Sequence, residues 1–268
     1  MNTKLKAPQG FSGINRHTKV ALVGAGGTGS AMAARLLKLH QSLVAVGDYG
    51  LEVTVYDPKT VTETNVIRQH FWSESDIGFP KASLLVNRYN QFGGMNWQYV
   101  VGKFNVNTLK GLPDLIITTV DSAKARLEIG KHLSTLSSYH VNDKLWLDLG
   151  NGSNGGNAYI GSQYAHSGSG DAPSPYQLFK QDWEEIDDSK ISEPSCSARE
   201  ALLKQNLGVN DALASMALFR ILAPLMLKGE IEISGFFLDS ISGEMTIPFG
   251  ENSWAIYGYV DSKVDTAA

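Results

Sequence analysis

The first half of the chain alternates short, almost continuously apolar runs with longer stretches whose apolar residues recur every three or four positions. KVALVG (Lys19 to Gly24) is apolar and ends on glycine, so it reads as a buried parallel strand. SAMAARLLKLH follows with helical spacing, so a glycine turn joins strand to helix. LEVTVYD (Leu51 to Asp57) is the second strand, entered through a turn at GDYG. KASLLVNRYNQF gives the next helix and NWQYVVGKF the next strand. PDLIITTVD (Pro113 to Asp121) is another nearly unbroken apolar strand, SAKARLEIGKHLSTLSS a helix, and KLWLDLG closes the series. Strands alternating with helices in this order predict an α/β fold, Rossmann-like, with a mostly parallel twisted sheet flanked by helices.

Beyond Gly150 the pattern changes. NGSNGGNAYIGSQYAHSGSGDAPSP is rich in Gly, Ser and Asn and reads as a short strand between loops. DWEEIDDSKISE is an acidic run, which usually forms a solvated face. REALLKQNLGVNDALASMALFRILAPLML restores helical periodicity, as two helices broken near Leu207-Gly208-Val209. EISGFFLDSISGEMTIPFG alternates around Ser-Gly-Glu as an antiparallel hairpin would. No repeat and no linker divides the chain, so residues 1–268 read as one domain. Its nucleotide-binding half covers about 18–150, and a crossover loop, helices and an antiparallel C-terminal extension fill 151–268.

Composition narrows this picture. A hydrophobic content of 43% and a charged content of 19% suit a chain that buries a real core. The formal net charge of -4 argues against a nucleic-acid partner, which calls for a basic face. The N-terminal stretch MNTKLKAPQGFSGINRH lacks the apolar core of a signal peptide, and no window approaches 18 consecutive apolar residues. No membrane span is therefore expected, and a cytoplasmic location is the default. Cys196 is the single cysteine, which excludes an intrachain disulfide and a four-cysteine zinc site.

The chemistry starts at GAGGTGS. Gly24, Gly26 and Gly29 have the G-x-G-x-x-G spacing between strand and helix, with Gly27 inside it. Glycine permits the tight turn and a close backbone approach, and the following helix N-terminus favours an anion. The turn does not name the nucleotide. Asp57 ends the second strand, where a carboxylate can accept from ribose hydroxyls, although it lies farther from Gly29 than the usual ~20 residues. The alternative is an Asp that only opens the turn DPKT. Asn65, Arg68, Gln69 and Lys81 then fall in NVIRQHFWSESDIGFPK. Singly, Arg68 and Lys81 read as surface cations and Asn65 as a helix N-cap. Together after a glycine turn, they suit the charge of a triphosphate.

GAGGTGS, YDPKTVTETNVIRQ, DIGFPKA and TTVDSAKAR together resemble the ThiF/MoeB superfamily, prokaryotic relatives of ubiquitin-activating enzymes, over roughly Lys19 to Arg126. Within it, EPSCSAREAL and LGVN look most similar to the ThiF-related proteins of the bacterial PRTRC cassette. The resemblance implies an adenylyltransferase that binds MgATP and activates the C-terminal carboxylate of a small ubiquitin-like (β-grasp) protein, acting as a homodimer. It implies that Asp57 holds the ribose, that Asn65, Arg68 and Lys81 contact the triphosphate, that Gln69 supports the Arg segment, and that Asp121 coordinates Mg²⁺. Arg126 aligns with an Arg that follows the magnesium aspartate, and Arg16 with an N-terminal Arg directed at a neighbouring subunit. Three departures stand out: Lys59 where the family commonly has a second Asp, Ser122 where it commonly has Asn, and no paired Cys-x-x-Cys for zinc.

Cys196 lies in SEPSCSARE ahead of a helix, where the dipole and Arg199 favour a thiolate, and some members use such a cysteine as a nucleophile. An idle thiol, or a helix start capped by Ser197 and Glu200, explains the same stretch. His70 follows the Arg-Gln pair, whereas His17, His40, His132, His140 and His166 show no ligand spacing. Two other readings stay open. An NAD-dependent oxidoreductase uses the glycines and Asp57 but leaves Asn65, Arg68 and Lys81 without a task. A non-catalytic nucleotide-binding scaffold of a plasmid or mobile-element cassette is suggested by Lys59 and Ser122.

Overall fold

The computed structural model describes residues 4–11, 16–136, 144–164, 172–191 and 206–259. A short β1 (Leu5–Lys6) precedes β2 (Thr18–Val23), which leads through the glycine turn into α1 (Gly27–Ala45). Then follow β3 (Leu51–Tyr56), α2 (Glu63–Arg68), α3 (Lys81–Gly93), β4 (Gln98–Val100), β5 (Leu115–Thr118) and α4 (Ala123–Ser134). The second half contributes β6 (Leu145–Asn151), β7 (Gly155–Ser162), α5 (Pro175–Glu185), α6 (Asp188–Ile191) and a long α7 (Val209–Lys228). It ends with β8 (Glu230–Ile231), β9 (Ile233–Asp239), β10 (Gly243–Pro248) and α8 (Glu251–Ala255).

Eight strands form one sheet in the order β10-β9-β7-β6-β5-β2-β3-β4. The pairs from β6 through β4 are parallel, and β6-β7, β7-β9 and β9-β10 are antiparallel. The mostly parallel, Rossmann-like sheet with antiparallel C-terminal strands is thus as expected, and those strands extend the same sheet.

The apolar runs lack alternation because both faces of the parallel strands are covered. Val20 and Leu22 join the core under α1 and α7, while Ala21 and Val23 join the one under α4 and α5. Leu115 and Ile117 oppose Ile116 in the same way, and Leu145, Leu147 and Leu149 oppose Trp146. Each such buried Val, Leu or Ile side chain stabilises the fold by about 1.5–3 kcal/mol.

Two segments differ from expectation. The Gly/Ser/Asn-rich stretch after Gly150 holds an eight-residue strand, β7, paired on both sides rather than a short one. Its glycines mark close backbone approach: a Cβ on Gly155 would lie 2.0 Å from the Leu238 carbonyl oxygen, and one on Gly161 would lie 1.9 Å from that of Pro173. The long apolar periodicity also departs from a plain α-helix. α7 starts after Gly208, whose φ of +92° suits glycine, which is where the second expected helix should begin; the first is expected within residues 192–205, which lie outside the described residues. The helix widens to π geometry over Leu218–Leu222 ahead of Pro224, which has no N–H to continue the ladder. Among the described residues α7 is long and apolar enough to cross a membrane by length and composition, and half of that stretch is buried within the fold.

Candidate active site

The chain leaves β2 for β3 and β4 on one side, then returns to β5 on the other side of β2. In open α/β sheets this reversal of strand order marks the ligand-binding crevice, which falls at the carboxyl ends of β2 and β5 between the loops that follow them. Gly24 to Gly29 form one wall. Gly24 has φ +102°, and a Cβ there would meet Thr119 Oγ1 at 2.8 Å. A Cβ on Gly29 would lie 2.0 Å from the Gly24 carbonyl oxygen, and one on Gly27 would lie 2.3 Å from Asn210 Nδ2. Gly26 differs, because nothing lies within 4 Å of its Cβ position. Three glycines are demanded by the protein itself; the fourth keeps the surface at the α1 N-terminus bare. Thr119 clamps this wall to β5, its Oγ1 donating to the Val23 and Gly24 carbonyls at 3.0 and 3.1 Å.

Asp57 follows β3 and is 6% exposed. Its Oδ2 accepts from the Ala25 N–H at 2.7 Å, and its Oδ1 from the Lys59 N–H at 2.7 Å. The carboxylate therefore opens the DPK turn and also fixes the glycine turn. Each oxygen keeps a further lone pair for a ligand hydroxyl.

Between Thr62 and Ile77 the chain makes an excursion closed by a small antiparallel base. Val61 N–H donates to the Phe79 carbonyl, Gly78 N–H to that of Val61, and Lys81 N–H to that of Lys59, at 2.9, 2.9 and 3.0 Å. This base returns Lys81 to the segment that carries Gln69. Lys81 is 5% exposed at the start of α3, and its Nζ donates to Gln69 Oε1 at 3.0 Å. A near-buried ammonium is not the surface cation that an isolated lysine suggests. Thr62, not Asn65, caps α2; Asn65 sits at the third helical position, and its Oδ1 accepts from the Thr62 N–H at 3.0 Å. The expected N-cap is corrected to the other half of a capping box. Arg68 closes α2, and its side chain lies outside the described residues.

Across the crevice, Asp121 follows β5, exposed and without a hydrogen bond among the described residues. Ser122 caps α4, its Oγ accepting from the Ala125 N–H at 3.1 Å and donating to Asp188 Oδ2 at 2.6 Å. Asp188 Oδ1 and Oδ2 also accept from the Ala123 and Lys124 N–H groups at 2.9 and 3.1 Å. Burial pushes the Asp188 carboxyl up, but these donors and Arg126 outweigh it and hold it below the usual carboxylate value. The acidic run is thus not only a solvated face. Arg126 is buried, its Nε donating to Asp148 Oδ1 at 2.8 Å and its Nη2 to the Leu149 carbonyl at 2.9 Å. It locks α4 to β6 and is not directed into the crevice by these bonds.

Asn210, Asp211, Asp148 and Asp188 bear on the site without having been singled out. Arg16 binds Asp114 of its own chain through two bonds of 2.5 and 2.7 Å. Asp114 precedes β5, at the opposite end of the sheet, so this arginine is engaged within the chain. His70 binds Asp211 at 3.1 Å. Cys196, Ser197, Arg199 and Glu200 lie outside the described residues. Among the described residues no three His, Cys, Asp or Glu side chains gather as a metal nest.

The model of the ThiF family matches residues 8–142. No curated protein matches the sequence. A crystal structure of E. coli MccB with ATP superposes with a TM-score of 0.60 at 15% identity, covering 90% of this chain and 66% of that one. A structure of PaaA gives 0.59 at 14% identity, with 87% and 65% covered. The chain thus spans just under two thirds of the length of each, and these likenesses bear on the fold.

Proposed function

This chain belongs to the ThiF family, and we propose on that premise that it binds MgATP over the glycine turn and transfers AMP to a carboxylate. We assign that carboxylate to the C-terminus of a small ubiquitin-like protein, with the enzyme acting as a homodimer. The observation that carries the reading is the near-buried Lys81 held by Gln69. The next residue, His70, donates its N–H to Ser30 Oγ in the first turn of α1 at 3.1 Å. The cation-bearing segment and the glycine turn are therefore parts of one assembly.

The donor set fits the ligand. The bare surface over Gly26 admits a phosphate at the α1 N-terminus. Lys81 and Arg68 supply positive charge, Asn65 keeps its Nδ2 as a donor, and Asp57 keeps acceptor capacity for ribose hydroxyls. Asp121 would hold Mg²⁺, which supplies charge neutralisation across phosphate oxygens. In the reaction an acceptor carboxylate oxygen bonds to the α-phosphorus. The bond from that phosphorus to the bridging oxygen breaks, and pyrophosphate leaves with the electron pair. Two anions meet and a third departs, so fixed cations in a partly dry crevice lower the barrier. A dehydrogenase has no use for that arrangement.

Arg68→Ala is expected to abolish acceptor-dependent ATP–pyrophosphate exchange while the protein stays folded; unchanged exchange overturns the reading. Transfer to Cys196 is a separable second step. Cys196→Ala should leave exchange intact and remove any covalent acceptor adduct, and survival of the adduct places the nucleophile elsewhere. The non-catalytic scaffold gains if MgATP binds and no pyrophosphate forms with any acceptor, a reading favoured by the engagement of Ser122 with Asp188.

A further inference from the structure

We propose that Asn210 and Asp211, consecutive residues in the first turn of α7, are positioning residues that hold the glycine turn and the Arg68–His70 segment in register for the bound nucleotide. The inference rests on the nucleotide-binding reading above and adds to it a part played by the second half of the chain.

Asn210 is 7% exposed and reaches the glycine turn from below. Its Oδ1 accepts from Thr28 Oγ1 at 2.9 Å and from Asn151 Nδ2 at 2.9 Å. Its Nδ2 fills the space that a Cβ on Gly27 would need. This accounts for a glycine that the G-x-G-x-x-G spacing does not require: Gly27 makes room for Asn210 rather than for a ligand.

Asp211 reaches the other element. His70 Nε2–H donates to Asp211 Oδ1 at 3.1 Å, and Arg35 Nη2 donates to the same oxygen at 3.2 Å. Arg35 is itself steadied by Nε donating to Ser215 Oγ at 3.0 Å. The backbone of His70 is held as well, by Ser30 Oγ, which in turn donates to the Gly27 carbonyl at 3.1 Å. The circuit runs Gly27, Thr28, Asn210, Asp211, His70, Ser30 and back to Gly27. The last residue of α2, Arg68, lies two positions before His70. A shift of α7 therefore moves the phosphate-binding turn and the cationic segment together. Gly208, with φ +92°, lets the chain enter α7 so that adjacent side chains serve two different elements.

The bracket is tested by MgATP titration and amide hydrogen exchange on Asp211→Ala, Asp211→Asn, His70→Ala and the double alanine variant. Asp211 is half exposed, so its variants are expected to fold. Asp211→Ala and His70→Ala should each weaken MgATP binding by about tenfold, the scale of a small misplacement in a preorganised site. The double variant should be no weaker than the worse single one, since His70 acts through the Asp211 contact that either change removes. Asp211→Asn keeps the acceptor oxygen and should stay within about twofold of wild type. Multiplicative losses in the double variant, or unchanged affinity in a folded Asp211→Ala protein, overturn the proposal. Hydrogen exchange separates its failure from failure of the nucleotide reading. Asp211→Ala should speed exchange at residues 69–70, and Asn210→Ala at residues 27–30. If wild type ignores MgATP, the nucleotide reading falls, and unchanged exchange in both variants removes the bracket independently.

Discussion

The two halves of the chain build the crevice in different ways. Up to Gly150, the residues assigned to it follow β3 and β5 or stand on α2 and α3, and several of their supports are close in sequence. Asp57 binds residues 2 and 32 positions away, Asn65 one 3 away, and Lys81 one 12 away. The second half works at long range: Asp188 reaches back 66 positions to Ser122, Asp211 141 to His70, and Asn210 182 to Thr28. On the reading proposed here, the first half presents the groups for chemistry and the second fixes where they stand. Substitutions in the two halves should therefore fail differently, in turnover in one and in alignment in the other.

After Arg68→Ala, the largest effect should come from Lys81→Ala. Removing a preorganised cation from the departing pyrophosphate should slow ATP–pyrophosphate exchange by about 10²–10³-fold, well beyond the loss expected for Asp211→Ala. Equal losses would erase the distinction between the halves. Glycine substitutions sharpen it next. Gly29→Ala drives a methyl group into a backbone oxygen and should cost about 3 kcal/mol or more in thermal or denaturant unfolding. Gly26→Ala meets nothing in the protein, so stability should hold within about 0.5 kcal/mol. Its MgATP affinity should nevertheless fall by about tenfold, the cost of a methyl group where a phosphate must approach.

The far end of the sheet provides smaller effects. Burial pushes the Asp114 carboxyl up, but Arg16, the Lys19 N–H and Lys144 outweigh it and hold it below the ordinary value of 3.8. A depressed carboxylate contributes stability that is fully present above its unfolded pKa and is lost as pH falls through the folded one. Asp114→Asn should therefore flatten the acid limb of a stability profile below pH 3.8, and an unaltered limb contradicts this. The least effect on activity belongs to Arg16→Ala. It should lower the melting temperature while MgATP affinity stays within about twofold, because Arg16 sits at the end of the sheet opposite the crevice.

Much of the first half was legible in advance for a physical reason. Strands buried on both faces leave unbroken apolar runs, and a glycine turn between strand and helix leaves its spacing in neighbouring residues. The same locality put Asn65, Arg68, Gln69 and Lys81 in one short stretch, of which the structure joins Gln69 and Lys81. Glycines in β7 were read as loop because composition does not distinguish chain freedom from close backbone approach. Asp188 looked like one charge of a solvated run, since nothing near it in sequence announces the α4 N-terminus it caps. Asp211 was equally silent, and Asn210 figured only as the end of LGVN. The one local trace was Gly27, a glycine beyond the spacing's needs, which marks the room that Asn210 takes up.

The central claim is that the cations of the 65–81 segment serve a triphosphate at the glycine turn. Calorimetric titration of the wild-type protein and Lys81→Ala with MgATP, with NADH as the competing nucleotide, tests it most directly. The account predicts heat and saturation with MgATP for wild type, loss of that binding in Lys81→Ala, and no saturation with NADH. Saturation by NADH, or identical MgATP isotherms for the two proteins, would contradict it.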